Sequence, residues 1–304
     1  MDSLRRVLRR IHDAKEERRF LKNLDFYIKF DGSRTDKNHL SLIQPETSGG
    51  SISHDTIDSI ERHPSITEIT ISGLKQESFE YFISKYGNRF RVITFWKCPR
   101  IENLSGIEKL KNIEYLIFFW NQKAIRLWDL SKTEKLRGLA FDDFTRMHTL
   151  ADLSKSSSLE ELRFGSRILS SYILESFKPL VRCKSLKRLI FNAKQITDKD
   201  ISPLAKLQGL IEIEFPPNQF TTEQIAWLKA RLPIEIKSTI LAPFQRLRQP
   251  LTTSDNISKD ILINGKRKPF LNSNSDKKVI DKYVRNFETL VKQFSASPKS
   301  PPPT

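Results

Sequence analysis

Residues 113–121 read IEYLIFFWN, with Ile113, Leu116 and Phe118 spaced as one apolar edge. Side chains of an extended strand alternate between faces, so Leu116 and Phe118 share one side and Tyr115, Ile117 and Phe119 the other. The same phrase, Leu-x-x-Leu-x-Phe in outline, occurs seven times along the chain. Its copies start at Ile66, Phe90, Ile113, Leu136, Leu159, Leu186 and Leu210, in steps of 24, 23, 23, 23, 27 and 24 residues. The third apolar positions are Ile71, Phe95, Phe118, Phe141, Phe164, Phe191 and Phe215. A fixed period in the twenties means stacked units, each too small to fold alone, that share a continuous core.

Between the strands run return segments with apolar spacing of three: Ile107 and Leu110, Leu127 and Leu130, Leu150 and Leu153, Phe177 and Leu180, Ile201 and Leu204. That spacing predicts short helices or 3₁₀ turns. Thr197-Asp198 before Ile201 predicts an α-helix in the sixth return, and the long fifth repeat leaves room for one around residues 170–180. The earlier returns, richer in Ser and Lys, are expected to be irregular or 3₁₀. Before the repeats, residues 2–22 predict a helix, and residues 25–30 with 39–44 a hairpin, followed by a Ser/Thr/Gly loop over 45–53. After them come a helix over 221–231 stopped by Pro233, a last strand at Ile234 and Ile236, and an irregular stretch over 238–275. Residues 276–294 predict an amphipathic helix with Ile280, Tyr283, Val284, Phe287, Val291 and Phe294 on one face.

Across 304 residues the chain is 38% hydrophobic and 29% charged, which suits a core-forming fold. No run approaches a membrane span, and the basic N-terminus lacks the apolar stretch of a secretory signal. Cys98 and Cys183 sit in different repeats, so neither a disulfide framework nor a Cys-x-x-Cys site is expected, as in a reducing cytoplasm. The net charge of +16 is concentrated at the ends. Residues 1–22 hold eight Lys/Arg against four Asp/Glu, and residues 229–304 fifteen against six. A nucleic-acid reader would concentrate this charge on its docking face instead.

The strands at residues 113–121, 159–164 (LEELRF) and 186–194 (LKRLIFNAK) resemble the leucine-rich repeat, in its short bacterial form of 22–24 residues. The likeness covers residues 57–233. It implies an α/β solenoid, a horseshoe with a parallel sheet on its concave side, and a binding module rather than an enzyme. The expected division is an N-terminal helix and hairpin cap at 1–56, the repeat solenoid at 57–237, a C-terminal helical extension at 238–294 and a disordered tail at 295–304. The chain departs from the family where Asn should close each turn. It has Leu74, Cys98, Asn121, Phe144, Arg167, Lys194 and Asn218 there.

With the spine inside, the interleaved positions face the inner wall. Trp96, Tyr115, Ile117 and Phe119 should form an exposed aromatic patch, with Trp120 at its rim, Asp142 beside it and Arg163 beyond. Adjacent strands lie about 4.8 Å apart, so Trp96 and Phe119 can touch. Exposed apolar patches rich in Trp and Tyr mark partner sites, so a protein partner is the expected ligand. Two other readings stay open: the chain's own ends fold over the patch, or a shifted register puts these aromatics in the core. The competing function is electrostatic binding of nucleic acid or an anionic membrane through Arg5, Arg6, Arg9 and Arg10 or through Lys266, Arg267 and Lys268. The five histidines are scattered and no metal spacing occurs, so no catalytic, metal or cofactor site is expected.

Overall fold

Strands recur at the same phase of each repeat because the alternating apolar residues give each segment one buried edge. The computed structural model describes residues 38–44, 50–166, 172–252, 258–297 and 300–302. The expected helix at 2–22, with Arg5, Arg6, Arg9 and Arg10, and the hairpin arm at 25–30 lie outside the described residues. The chain divides into two compact units, Met1–Met147 with Lys155–Leu159 and His148–Ser154 with Glu160–Thr304.

The first unit contains β1 (His39–Leu42), α1 (His54–Asp58), β2 (Glu68–Ser72), α2 (Gln76–Lys85), β3 (Val92–Trp96), β4 (Tyr115–Asn121) and β5 (Gly138–Phe144). These strands pair in sequence order, all parallel. The register aligns Ile71, Phe95, Phe118 and Phe141, and all four are buried. The Phe95 and Phe118 rings stack 4.8 Å apart. β1, expected as a hairpin arm, pairs in parallel with β2 and so extends the repeat sheet.

The returns at Ser105–Lys109, Leu130–Lys132 and Ala151–Lys155 are 3₁₀, as their composition predicts. The first return differs: α2 is a ten-residue α-helix. Phe79, Phe82 and Ile83 fall on one helical face, and the Lys75 N–H donates to Ser78 Oγ at its start. Phe79 and Phe82 then meet the Phe95 ring at 5.5 and 6.2 Å.

β2, β3, β4 and β5 carry the same bend near their ends. Gly73, Lys97, Trp120 and Asp143, at one position of four successive repeats, all adopt positive φ, between 50° and 69°. The bend turns Leu74, Cys98, Asn121 and Phe144 inward, where all are buried. Asn121 closes its turn as the family pattern implies. Its Nδ2 donates to Cys98 O and Ile101 O, and its Oδ1 accepts from the Lys123 and Ala124 N–H groups, at 2.8–3.2 Å.

The second unit contains β6 (Glu161–Gly165), β7 (Ile173–Leu174), β8 (Arg188–Asn192), β9 (Gln195–Ile196), β10 (Glu212–Glu214), α3 (Thr222–Lys229), β11 (Phe244–Thr252), β12 (Ser258–Ile263), β13 (Phe270–Leu271) and α4 (Lys277–Ala296). β6, β8 and β10 are parallel neighbours, with Phe164, Phe191 and Phe215 stacked at 5.8 and 5.3 Å. In both units this is the strand-and-return arrangement of leucine-rich repeats.

Five expectations fail here. The fifth return forms β7 and a 3₁₀ turn at Lys178–Arg182 rather than an α-helix. The sixth forms β9 and a 3₁₀ turn at Leu204–Lys206. Asp198 accepts from the Asp200 N–H as a tight turn, and Pro203 lacks the N–H that an interior helical position needs. Asn218 is exposed, and Gln219 Oε1 instead receives the Ala193 N–H at 3.2 Å. Residues 238–275 are not irregular: β11, β12 and β13 form an antiparallel sheet whose Ile261, Ile263 and Leu271 pack with Ile280 of α4. At the expected last strand, Ile234 is exposed and only Lys237 bridges Glu212. In the tail, Pro302 O accepts from Gln224 Nε2 at 3.2 Å.

Candidate binding face

On β3, β4 and β5 the side chains opposite the Phe spine are Val92, Thr94, Trp96, then Tyr115, Ile117, Phe119, then Gly138, Ala140, Asp142. The register places Trp96, Phe119 and Asp142 in one row. Trp96 and Phe119 stack at 4.3 Å with planes 16° apart. Lys97 Nζ lies 5.6 Å from the Trp96 ring. The bare Gly138 backbone makes room for Tyr115, whose ring a Cβ there would strike. Trp120, turned aside at its left-handed bend, is half-buried, and its buried indole nitrogen has no hydrogen bond among the described residues.

The structure therefore gathers Trp96, Tyr115, Ile117, Phe119 and Asp142 as the repeat register requires. It does not expose them. Trp96, Tyr115, Ile117 and Asp142 are each 3% exposed and Phe119 4%. The expectation of an open aromatic patch is overturned, although the register is the one read from the sequence. Both faces of these strands are closed to solvent. A signal for this was present: residues 115–120 are one unbroken apolar run, the mark of a strand buried on both sides.

In the second unit the strands keep one accessible face. Glu161 and Arg163, then Arg188, Ile190 and Asn192, then Glu212 and Glu214 are half-buried, while Leu162, Phe164, Leu189, Phe191 and Ile213 are buried. The register forms the rows Glu161–Arg188–Glu212 and Arg163–Ile190–Glu214. The Arg188 guanidinium donates to Glu212 Oε2 at 2.8 and 3.0 Å and to Glu161 at 3.4 Å. Burial alone would lower its pKa, but the two carboxylates outweigh burial and hold it above the ordinary value. Burial pushes the Glu214 carboxyl up, against hydrogen bonds from Thr239 N–H and Oγ1 at 2.6 and 2.9 Å. Arg163 alone of the seven candidates lies in this unit. Opposite charges at one repeat position, Glu161, Arg188 and Glu212, were the sequence signal for this ladder.

Among the described residues no group of three or more His, Cys, Asp or Glu is disposed to hold a metal ion. Both cysteines are free and buried, and burial pushes Cys98 up to about 12 and Cys183 to about 11, which suits inert thiols. Lys266, Arg267 and Lys268 lie in the β12–β13 loop, with Lys268 Nζ 5.4 Å from the Tyr283 ring. Among the described residues no helix is long and apolar enough to cross a membrane.

No family model and no curated protein matches the chain. Solved structures do. It is similar to internalin C2 of Listeria monocytogenes, at 17% identity and TM-score 0.41 over 59% of this chain and 73% of that one. The Listeria internalin InlF matches at 21% identity and TM-score 0.37, covering 60% of this chain and 55% of the other. A leucine-rich-repeat protein of Leptospira interrogans matches at 11% identity and TM-score 0.38, covering 65% and 54%.

Proposed function

We propose that the chain is a non-enzymatic protein-recognition module that works in a reducing cytoplasm and binds its partner through the strand face of its repeats. The observation that carries this is the accessible face of β6, β8 and β10. There Arg163, Arg188, Ile190 and Glu214 stand side by side on a rigid parallel sheet. Side chains on paired strands are fixed in spacing, which favours a partner of matching charge and shape over a reacting small molecule.

The test is affinity capture with wild type beside Arg163→Glu/Ile190→Asp, from nuclease-treated extract. A protein partner should be held by wild type, lost by the double variant and little affected by moderate salt. Equal retention by both chains would defeat the reading. Retention that collapses between low and moderate ionic strength would favour the electrostatic alternative.

A further inference from the structure

A cleft of about 140 Å³ in the second unit is lined by Lys194, Lys199, Lys266, Gln219, Ile201 and Phe220, among others. That is well below the roughly 300–1,000 Å³ of pockets for drug-sized ligands, so only a small group fits. Three lysines line it, from the strand β8 exit, the turn after β9 and the β12–β13 loop. The loop is fixed there by Gly265 N–H to Pro217 O and Lys266 N–H to Phe220 O, both 2.8 Å. Among the described residues none of the three ammonium groups has a carboxylate partner. The neighbouring acids are engaged elsewhere: Asp198 pairs with Lys178 at 3.5 Å, and Asp200 accepts from Ser202 N–H at 2.9 Å.

Gln219 adds a neutral amide to the same lining. It is 7% exposed, and its Oε1 is pinned by the Ala193 N–H at 3.2 Å. That bond fixes which end of the amide is which, and the remaining NH₂ donor has no protein acceptor among the described residues. The floor of Ile201 and Phe220 is buried and apolar, which strengthens any charge interaction above it. Lys199 holds a left-handed backbone, φ 54°, at the turn that brings it to the rim.

We infer that this cleft binds a phosphate monoester, its oxygens held by Lys194, Lys199, Lys266 and the Gln219 amide. Three cations and one neutral donor match a compact dianion better than a singly charged carboxylate. The inference stands apart from partner recognition, because it uses none of the strand-face residues.

Calorimetric titration of the full chain with inorganic phosphate is the direct test, beside Lys194→Gln/Lys266→Gln and a control of equal charge, Lys278→Gln/Lys282→Gln. Wild type and control should bind one phosphate. The cleft variant should bind it roughly a hundredfold more weakly, about tenfold for each lysine lost. No saturable binding by wild type, or equal binding by the two variants, would overturn the assignment. Should the cleft variant not fold, lysine acetylation of wild type decides the matter. Lys194, Lys199 and Lys266 should be protected by phosphate relative to chloride at equal ionic strength, and unchanged rates refute the site. Glycerol 3-phosphate and phosphatidic acid vesicles then separate a soluble ester from a lipid headgroup. Binding of inorganic phosphate with neither ester would remove the monoester assignment.

Discussion

At the scale of single residues, the strongest electrostatic arrangement lies away from the strand face. Asp58 accepts from Tyr81 Oη at 2.6 and 2.8 Å, from Tyr86 Oη at 2.8 Å and from Lys85 Nζ at 3.1 Å. The Tyr81 hydroxyl, then that of Tyr86, lowers its pKa from 3.8 to about 2, while the same cluster raises Lys85. A depressed carboxylate adds stability above its unfolded pKa and loses it as pH falls through the folded one. Asp58→Asn should therefore lower stability at neutral pH, and the gap from wild type should close between about pH 4 and pH 2. Denaturant midpoints across that range check it; a gap that stays constant would contradict the assigned shift. None of this was legible beforehand, because Asp58 meets Tyr81 and Tyr86 across 23 and 28 residues of chain. Asn121, by contrast, was readable as a turn-closing residue from its repeat position alone.

Among the elements, those with a strong internal period were legible and those built from distant pairing were not. The amphipathic period of α4 and the Thr221/Gln224 cap of α3 are local properties, and both helices form. β11 reads FQRLRQPLT, with no clean alternation and with Pro250 in the stretch where its register shifts. Its strand state depends on β12, so composition alone reads it as loop. The end of α4 is likewise a tertiary matter. Arg231 Nη1 donates to Phe294 O at 2.7 Å and Nη2 to Ser297 O at 2.9 Å, satisfying carbonyls that a helix end leaves open. Arg231→Ala should destabilise the second unit by about 1–3 kcal/mol and speed amide exchange in the last turn of α4. Arg231→Lys should restore little, since one ammonium nitrogen lacks the two separated donor nitrogens with which the planar guanidinium reaches Phe294 O and Ser297 O. Unchanged exchange in both variants would show that the bonds hold nothing in place.

For the molecule as a whole, the decisive question is which strand face meets water. Because Trp96 and Phe119 are buried, Trp96→Ala/Phe119→Ala should cause a large loss of stability, about 3–5 kcal/mol for each ring if the sites do not collapse. A thermal midpoint close to wild type would instead mean that this face is open in solution. What the sequence by itself determined is the repeat: its period, its Phe spine, and the rows in which Trp96 meets Phe119 and Arg188 meets Glu212. Those follow from alternation within each strand and a constant step between strands, both written locally. The tertiary structure decided that the strand face opposite the Phe spine is closed in the first unit and accessible in the second. It alone also assembled the β11–β13 sheet and the lysine-lined cleft. Alternation tells which side chains share a face, and the apolar run at 115–120 signals burial on both, but what covers a face is supplied by distant segments.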